Sequence, residues 1–331
     1  MHNWVNGPSR NYVAGLEIGV LHVRAVVLAY GRSTPHAPPW IRLIHAQTVP
    51  MPDGAVSGAD ILEPRSVARV LVDVFGGPDD ISRWSGAHLA IGLPCSTVVI
   101  RSMPFAELTR RTYGPRIECG SRARRGGDYG LNRFEERVLT EAERIMGVDR
   151  DDLCLDWFRS VSFDGVEHAT IVTTTRQHVE SRVSTAALAG LRVSVIDGDA
   201  EAALRACRFW MHARHAADST FVVIWNHASQ TRTWCIHQHA VEMTLEGRAA
   251  LEWQRIAPWA RERGPRVAVV AGDAVSDGWG ELSPGAIARY TGCVVDRFSL
   301  DVCFAGPDAQ VLGDDDAAYV VALGLALRGT S

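Results

Sequence analysis

The chain has 331 residues, 47% of them hydrophobic and 22% charged, an ordinary balance for a globular protein long enough for two domains or one large α/β unit. A net charge of -4 leaves no global basic field for nucleic acid or an acidic membrane surface. Every basic side chain is Arg, so no lysine can act as phosphate clamp, Schiff base or general base. No apolar run reaches the length of about 18 residues needed to span a membrane, and the N-terminus lacks the apolar core of a signal peptide. The seven cysteines are scattered and never form a CxxC, which fits reduced, mostly buried thiols in a cytosolic protein.

The opening stretch reads as two strands, at about 13–18 and 23–30, joined by a tight turn at Gly19-Val-Leu-His22, where Gly19 is expected to supply a positive φ. Glu17 ends the first arm. A loop rich in Pro and His leads to a third strand at 41–49; residues 50–63 are turn-like. Pro64 to Phe75 reads as a helix, with Pro in its first turn and apolar residues at 67, 70, 71, 74 and 75. Gly76 and Gly77 stop it before a strand at 87–93. The first block is therefore β-β-β-α-β.

A different unit begins near Ser96, with a strand at 97–102. Residues 110–130 combine Arg110, Arg111, Arg116, Arg122, Arg124 and Arg125 with several Gly and read as a solvated loop. A helix at 133–146, strands at 153–158 and 168–174 turned by Asp164-Gly165, and a helix at 177–190 complete a small α+β insert. A strand at 192–197 and a helix from Asp199 to Ala213 return to the first domain. The block then repeats, with strands at 220–225, 231–239 and 241–245, a helix at about 247–263 and a strand at 266–271. This duplication predicts an α/β protein of actin-like (ribonuclease H-like) class, with two β-β-β-α-β-α domains around a cleft. The expected division is 11–95 with 191–215, an inserted subdomain at 96–190, and 216–331.

Five segments resemble PilM, the actin-like component of bacterial type IV pilus assembly and a relative of the division protein FtsA. They are Gly15-Leu-Glu-Ile-Gly19 with Val23-Arg-Ala-Val26; Ala90-Ile-Gly-Leu-Pro94 with Met103-Pro104; Glu141 to Trp157; Arg176 to Asp199; and Val321-Ala-Leu-Gly-Leu-Ala-Leu-Arg328. The last is similar to the family's closing Gly-Leu-Ala-Leu-Arg nearly letter for letter. The resemblance implies a cytoplasmic scaffold at the inner-membrane platform. Its partners would be the tail of a PilN-like membrane protein and other pilus platform proteins, with membrane contact only through a partner and no nucleic acid. The tail would lie as an extended peptide against a sheet edge, in a groove involving the strand at 97–102, the helix at 133–146 and the strand at 153–158.

The resemblance also places a nucleotide site. Nucleotide chemistry needs bare backbone N–H groups around phosphates, an acid for metal and water, and a glycine-rich wall for the base. The first hairpin keeps Glu17 and Gly19, but His22 and its neighbours replace small hydroxyl residues, and Arg24 replaces a lysine. Asp197 and Asp199 match the family's acidic pair. The second hairpin has Trp225, Asn226 and His227 where an acid and a glycine are expected, with Trp225 read as a steric obstacle beside the turn. Gly272 and Asp273 stand for the adenosine segment. These nine positions (Glu17, Gly19, His22, Arg24, Asp197, Asp199, Asn226, Gly272 and Asp273) are the candidate site. ATP hydrolysis is not expected of it, and ATP with Mg²⁺ is a doubtful ligand.

Two alternatives remain from the sequence. One is a working ATPase or sugar kinase of the same superfold, disfavoured by Trp225-Asn226-His227. The other is the cytoplasmic domain of a type II secretion platform protein, disfavoured by the absence of a transmembrane helix. Cys235, His237 and His239 would share a strand face and raise zinc as an option, with a half-buried strand as the plainer reading. No catalytic or metal-binding residue is assigned.

Overall fold

A computed structural model of the chain describes residues 11–32, 40–84, 86–110, 133–161, 165–215, 219–227, 230–247, 253–273, 283–304 and 316–330. It divides into two compact units, one of Met1–Pro94 with Ser181–Ser331 and one of Cys95–Glu180.

The larger unit opens with β1 (Asn11–Ile18), β2 (His22–Gly31) and β3 (Trp40–Pro50), an antiparallel meander. A small pair, β4 (Val56–Ser57) and β5 (Asp60–Ile61), sits inside the turn-like region. Helices α1 (Pro64–Val74) and α2 (Pro78–Ile81) then cross to β6 (His88–Leu93), parallel to β1. Helix α1 starts on Pro64 and buries Val67, Ala68, Val70, Leu71 and Val74, the one-sided spacing a core-facing helix needs.

The smaller unit holds β7 (Val99–Pro104), α3 (Phe105–Arg110), α4 (Arg133–Met146), β8 (Leu153–Val161) and β9 (Glu167–Thr175). Its sheet runs β7-β9-β8, so β7 and β8 are its outer strands. One face packs Leu153, Ala169 and Ile171 against Val138 and Ala142 of α4. By strand alternation Ile100, Phe158 and Val172 share the other face, and Ile100 and Phe158 are exposed. The boundary between the units falls within α5 (Arg176–Leu188).

Strand β10 (Val193–Gly198) completes a first five-stranded sheet of order β10-β6-β1-β2-β3, and α6 (Asp199–Arg214) follows it. The second half repeats the path with β11 (Phe221–His227), β12 (Gln230–His237), β13 (Ala240–Glu246), α7 (Trp253–Arg263), β14 (Val267–Gly272), α8 (Pro284–Thr291), β15 (Val294–Arg297), α9 (Leu300–Cys303) and α10 (Val320–Arg328). Its sheet order, β13-β12-β11-β14-β15, reproduces the first strand for strand. Each sheet has its own apolar core. Helices α6 and α10 pack on each other and on both sheets. They cross so closely that a Cβ on Gly324 would stand 1.8 Å from the carbonyl oxygen of Ala202, while one on Gly15 of β1 would stand 2.0 Å from that of Ala322.

The structure departs from the sequence reading at three places. Gly19 is not among the positive-φ glycines; its constraint is the His22 carbonyl, which accepts the Gly19 N–H at 2.9 Å and would lie 3.0 Å from a Cβ. The strand expected at 231–239 ends at His237, because Gln238 and His239 turn the chain with φ of 48° and 68°. That takes His239 off the strand face, while His237 Nδ1 bonds Thr220 Oγ1 at 2.8 Å. Among the described residues no group of three side chains is placed to hold a metal. Helix α8 and strand β15 had no counterpart in the sequence reading. The Arg-rich run beyond Arg110 lies outside the described residues, as do Asp164 and the first part of the helix expected at 247–263.

Candidate functional site

Glu17 and Arg24 face each other in register across the β1–β2 hairpin. Both are buried, and Arg24 Nη1 donates to Glu17 Oε1 at 3.1 Å. In the second half the site is approached by β11, the equivalent of β1, and by β14, the equivalent of β6. There Asn226 pairs with Gly272 in parallel register, and the next residue is Asp273. Gly272 has φ 109°, and a Cβ on it would lie 1.8 Å from the Asn226 carbonyl oxygen, so only glycine lets β14 end against β11 in this way. Asn226 spends its side chain inside its own hairpin, where Oδ1 accepts from Thr231 Oγ1 at 3.1 Å.

Asp273 meets charges from both halves. Its Oδ1 lies 2.7 Å from Arg24 Nη2, and its Oδ2 lies 2.8 Å from His227 Nδ1. His227 Nε2 in turn is 3.8 Å from Glu17 Oε1. Four side chains thus form a closed circuit of alternating sign. Burial disfavours the imidazolium, but the bond to Asp273 and the charges of Glu17, Asp273 and Asp199 outweigh it and raise the His227 pKa to about 9. Burial pushes the Glu17 carboxyl above its ordinary value, offset only in part by Arg24 and His227.

Trp225 lies on the same face of β11 as His227, two residues away. It is 1% exposed and stacks on His227 at 5.3 Å and 8°, and on Trp234 at 6.1 Å and 27°. Trp225 is therefore not the obstacle at the turn that its sequence position suggested. It is the floor under His227, and His227 is the side chain that enters the site. The sequence reading names His227 only as an altered residue of the second hairpin. Its period-two spacing from Trp225 was the available signal for a shared face.

The two remaining acids go different ways. Asp197 Oδ2 accepts from Arg205 Nη2 at 2.8 Å, and Arg205 also bonds the Gly324 carbonyl, so Asp197 belongs to the α6–α10 packing. Asp199 opens α6 and is buried, with Oδ1 accepting no hydrogen bond from the protein. A Cβ on Gly92 would lie 2.1 Å from that oxygen, which is why β6 carries glycine there. Burial, chiefly, raises the Asp199 pKa to about 7; His227 and Arg182 oppose the rise, Glu17 and Asp197 add to it. Arg182, wholly buried, donates from Nε to the Gly92 carbonyl at 3.1 Å and from Nη2 to that of Ala59. Gly19 and His22 stand at the tip of the first hairpin, beside Leu21, which is 71% exposed.

The fold therefore brings together Glu17, Arg24 and Asp273, adds His227, sets Asp199 beside them, and uses Asn226 and Gly272 as scaffolding. This geometry does not fit a magnesium-bound triphosphate. Glu17 and Asp273 are already neutralised by Arg24 and His227, and an imidazole stands where the second hairpin would need bare backbone.

The fold is an actin-like α/β fold, with two equivalent sheets, helices crossing between them and a hairpin from each half. The chain is similar, at 17% identity, to one in the structure of the PilM–PilN type IV pilus biogenesis complex, with a TM-score of 0.64 over 96% of this chain and 98% of that one. The cytoplasmic domain of EpsL, an inner-membrane component of the Vibrio cholerae type II secretion system, aligns at TM-score 0.45 and 10% identity over 96% of this chain and 95% of that one. A Bacteroides thetaiotaomicron protein with an actin-like ATPase fold aligns at 0.44 and 9% over 87% and 91%. No protein-family model and no curated protein sequence matches the chain.

Proposed function

We propose that this protein is a cytoplasmic scaffold of the inner-membrane platform in type IV pilus assembly, and that it binds the cytoplasmic tail of a PilN-like membrane protein on a fold whose nucleotide site is degenerate. The observation that carries the reading is the end-to-end likeness to the chain found in the PilM–PilN complex, which spans the inserted unit as well as both sheets. The two sheets of the larger unit then stand for the halves at 11–95 with 191–215 and at 216–331, and the insert for 96–190.

Outer strands β7 and β8, with Ile100 and Phe158 exposed beside them, offer a sheet edge and apolar anchors of the kind an extended peptide uses. No helix among the described residues is long and apolar enough to cross a membrane. The degenerate site rests on the charge circuit and on His227 in the second hairpin.

The test is fluorescence anisotropy with a labelled tail peptide of the PilN homologue from the same genome. Binding at tens of micromolar or tighter, corresponding to about 6 kcal/mol or more, is expected, with loss in Phe158→Asp. A peptide that stays free at that concentration removes the proposal.

A further inference from the structure

Two of the four contacts in the charge circuit stay within one half of the larger unit, Glu17–Arg24 on β1 and β2 and Asp273–His227 at the ends of β14 and β11. The other two, Arg24–Asp273 at 2.7 Å and His227–Glu17 at 3.8 Å, cross from one sheet to the other. Each half thus contributes one cation and one anion, and each charge has a partner on its own half and one on the opposite half. We propose that Glu17, Arg24, Asp273 and His227 form a built-in latch, which fixes the closure of the two sheets without a bound nucleotide.

The burial pattern makes this more than a surface pair. The Glu17 and Arg24 side chains are 2% and 7% exposed, and those of His227 and Asp273 are 19% and 32%. Separating the halves would strip each buried charge of one of its two counter-charges, and such a loss is not recovered from solvent until the cleft floods. The imidazole is held in plane by Trp225, which Trp234 backs in turn, so His227 reaches both carboxylates from a rigid support.

The groups facing His227 from each packed element are Glu17 from β1, Arg24 from β2, Asp273 beyond β14 and Asp199 from α6. Asp197 and Arg182 act on Asp199 in their turn. The circuit is neutral in itself. A nucleotide would have to displace a cation that is already paired on both sides. The latch does not depend on which partner the insert binds.

Amide hydrogen exchange on the full chain tests it. In Asp273→Asn, which keeps the shape and removes the charge, amides at the facing ends of β1, β2, β11 and β14 are expected to exchange at least tenfold faster, with β7, β8 and β9 unchanged. Arg24→Gln and Asp273→Asn together should accelerate exchange by less than the product of their separate effects, because either change alone already breaks the crossing contact between them. Unchanged exchange at the four ends, acceleration spread equally over the smaller unit, or strictly additive single effects would each overturn the latch. The unmodified protein supplies a measurement that needs no variant, a ¹³C NMR titration of the His227 imidazole. A ring still charged at pH 8 is expected, and one that has lost its proton by pH 6.5 overturns the proposal.

Discussion

His227 and Asp199 both feel the charge of the same buried carboxylate, Glu17, and both titrate away from their ordinary values. The His227 pKa is raised to about 9 in the folded chain, so the stability it contributes is fully present below its unfolded value of about 6.5 and is lost as pH rises through 9. The span corresponds to about 3 kcal/mol. Chemical denaturation of the parent should show this fall between pH 6.5 and 9, and His227→Gln should lack it while being less stable than the parent at pH 6. Asp199 also has a raised folded pKa, but on an acid. Its contribution is greatest below the ordinary value of 3.8 and is lost as pH rises through about 7. Asp199→Asn, which keeps the shape without the charge, should therefore be more stable than the parent at pH 8 by up to about 4 kcal/mol. A parent whose stability does not change from pH 4 to 8 would contradict the burial of that carboxyl.

Among the elements, the tightest constraint is the crossing of α6 and α10. With 1.8 Å between an added Cβ on Gly324 and the Ala202 carbonyl oxygen, the two helix backbones must separate before any side chain fits. Gly324→Ala should cost about 3 kcal/mol or prevent folding, whereas Gly285→Ala in α8, where a Cβ meets nothing within 4 Å, should be neutral or stabilising by about 0.5 kcal/mol. Thermal unfolding of the two variants side by side checks this. The same crossing explains a motif that reads in sequence only as a resemblance. In Val321-Ala-Leu-Gly-Leu-Ala-Leu-Arg328 the small residues admit neighbouring backbones, and Arg328 points to Asp197 at 3.9 Å.

For the molecule as a whole, two predictions separate a partner-binding scaffold from a nucleotide enzyme. Saturating tail peptide at about 100 times its Kd should stabilise the protein by about 2.7 kcal/mol, and the exchange protection it brings should fall on β7, β8 and β9. Calorimetric titration with ATP and Mg²⁺ should give no binding heat with the unmodified protein, and phosphate release should not exceed the uncatalysed rate. Micromolar binding of ATP would favour the alternative of a working nucleotide site. Heat that appears only in His227→Gly would place the obstruction at that imidazole.

The duplicated order of strands and helices was legible in the sequence because apolar periodicity, proline starts and glycine stops are local signals. They predicted α4 at the residues where it is found and most other boundaries to within a few residues. Glu17 likewise stands out, since an acid at the end of an apolar strand is conspicuous in one dimension, whereas Arg24, Asp197, Asp199 and Asp273 are marked only by the family resemblance. What the sequence could not decide is which of these charges meet. Arg24 and Asp273 are far apart in the chain and 2.7 Å apart in space, a distance set by how two sheets close on α6 and α10. Nor could it show that Trp225 points beneath the site instead of into it, because a strand side chain's direction depends on which face its sheet buries. Local sequence thus determined most of the elements, and the resemblance most of the charged residues at the site, but not His227. The packing of one half on the other decided that Asp197 joins the α6–α10 packing, that Asp199 lies buried beside the circuit, and that His227 closes it.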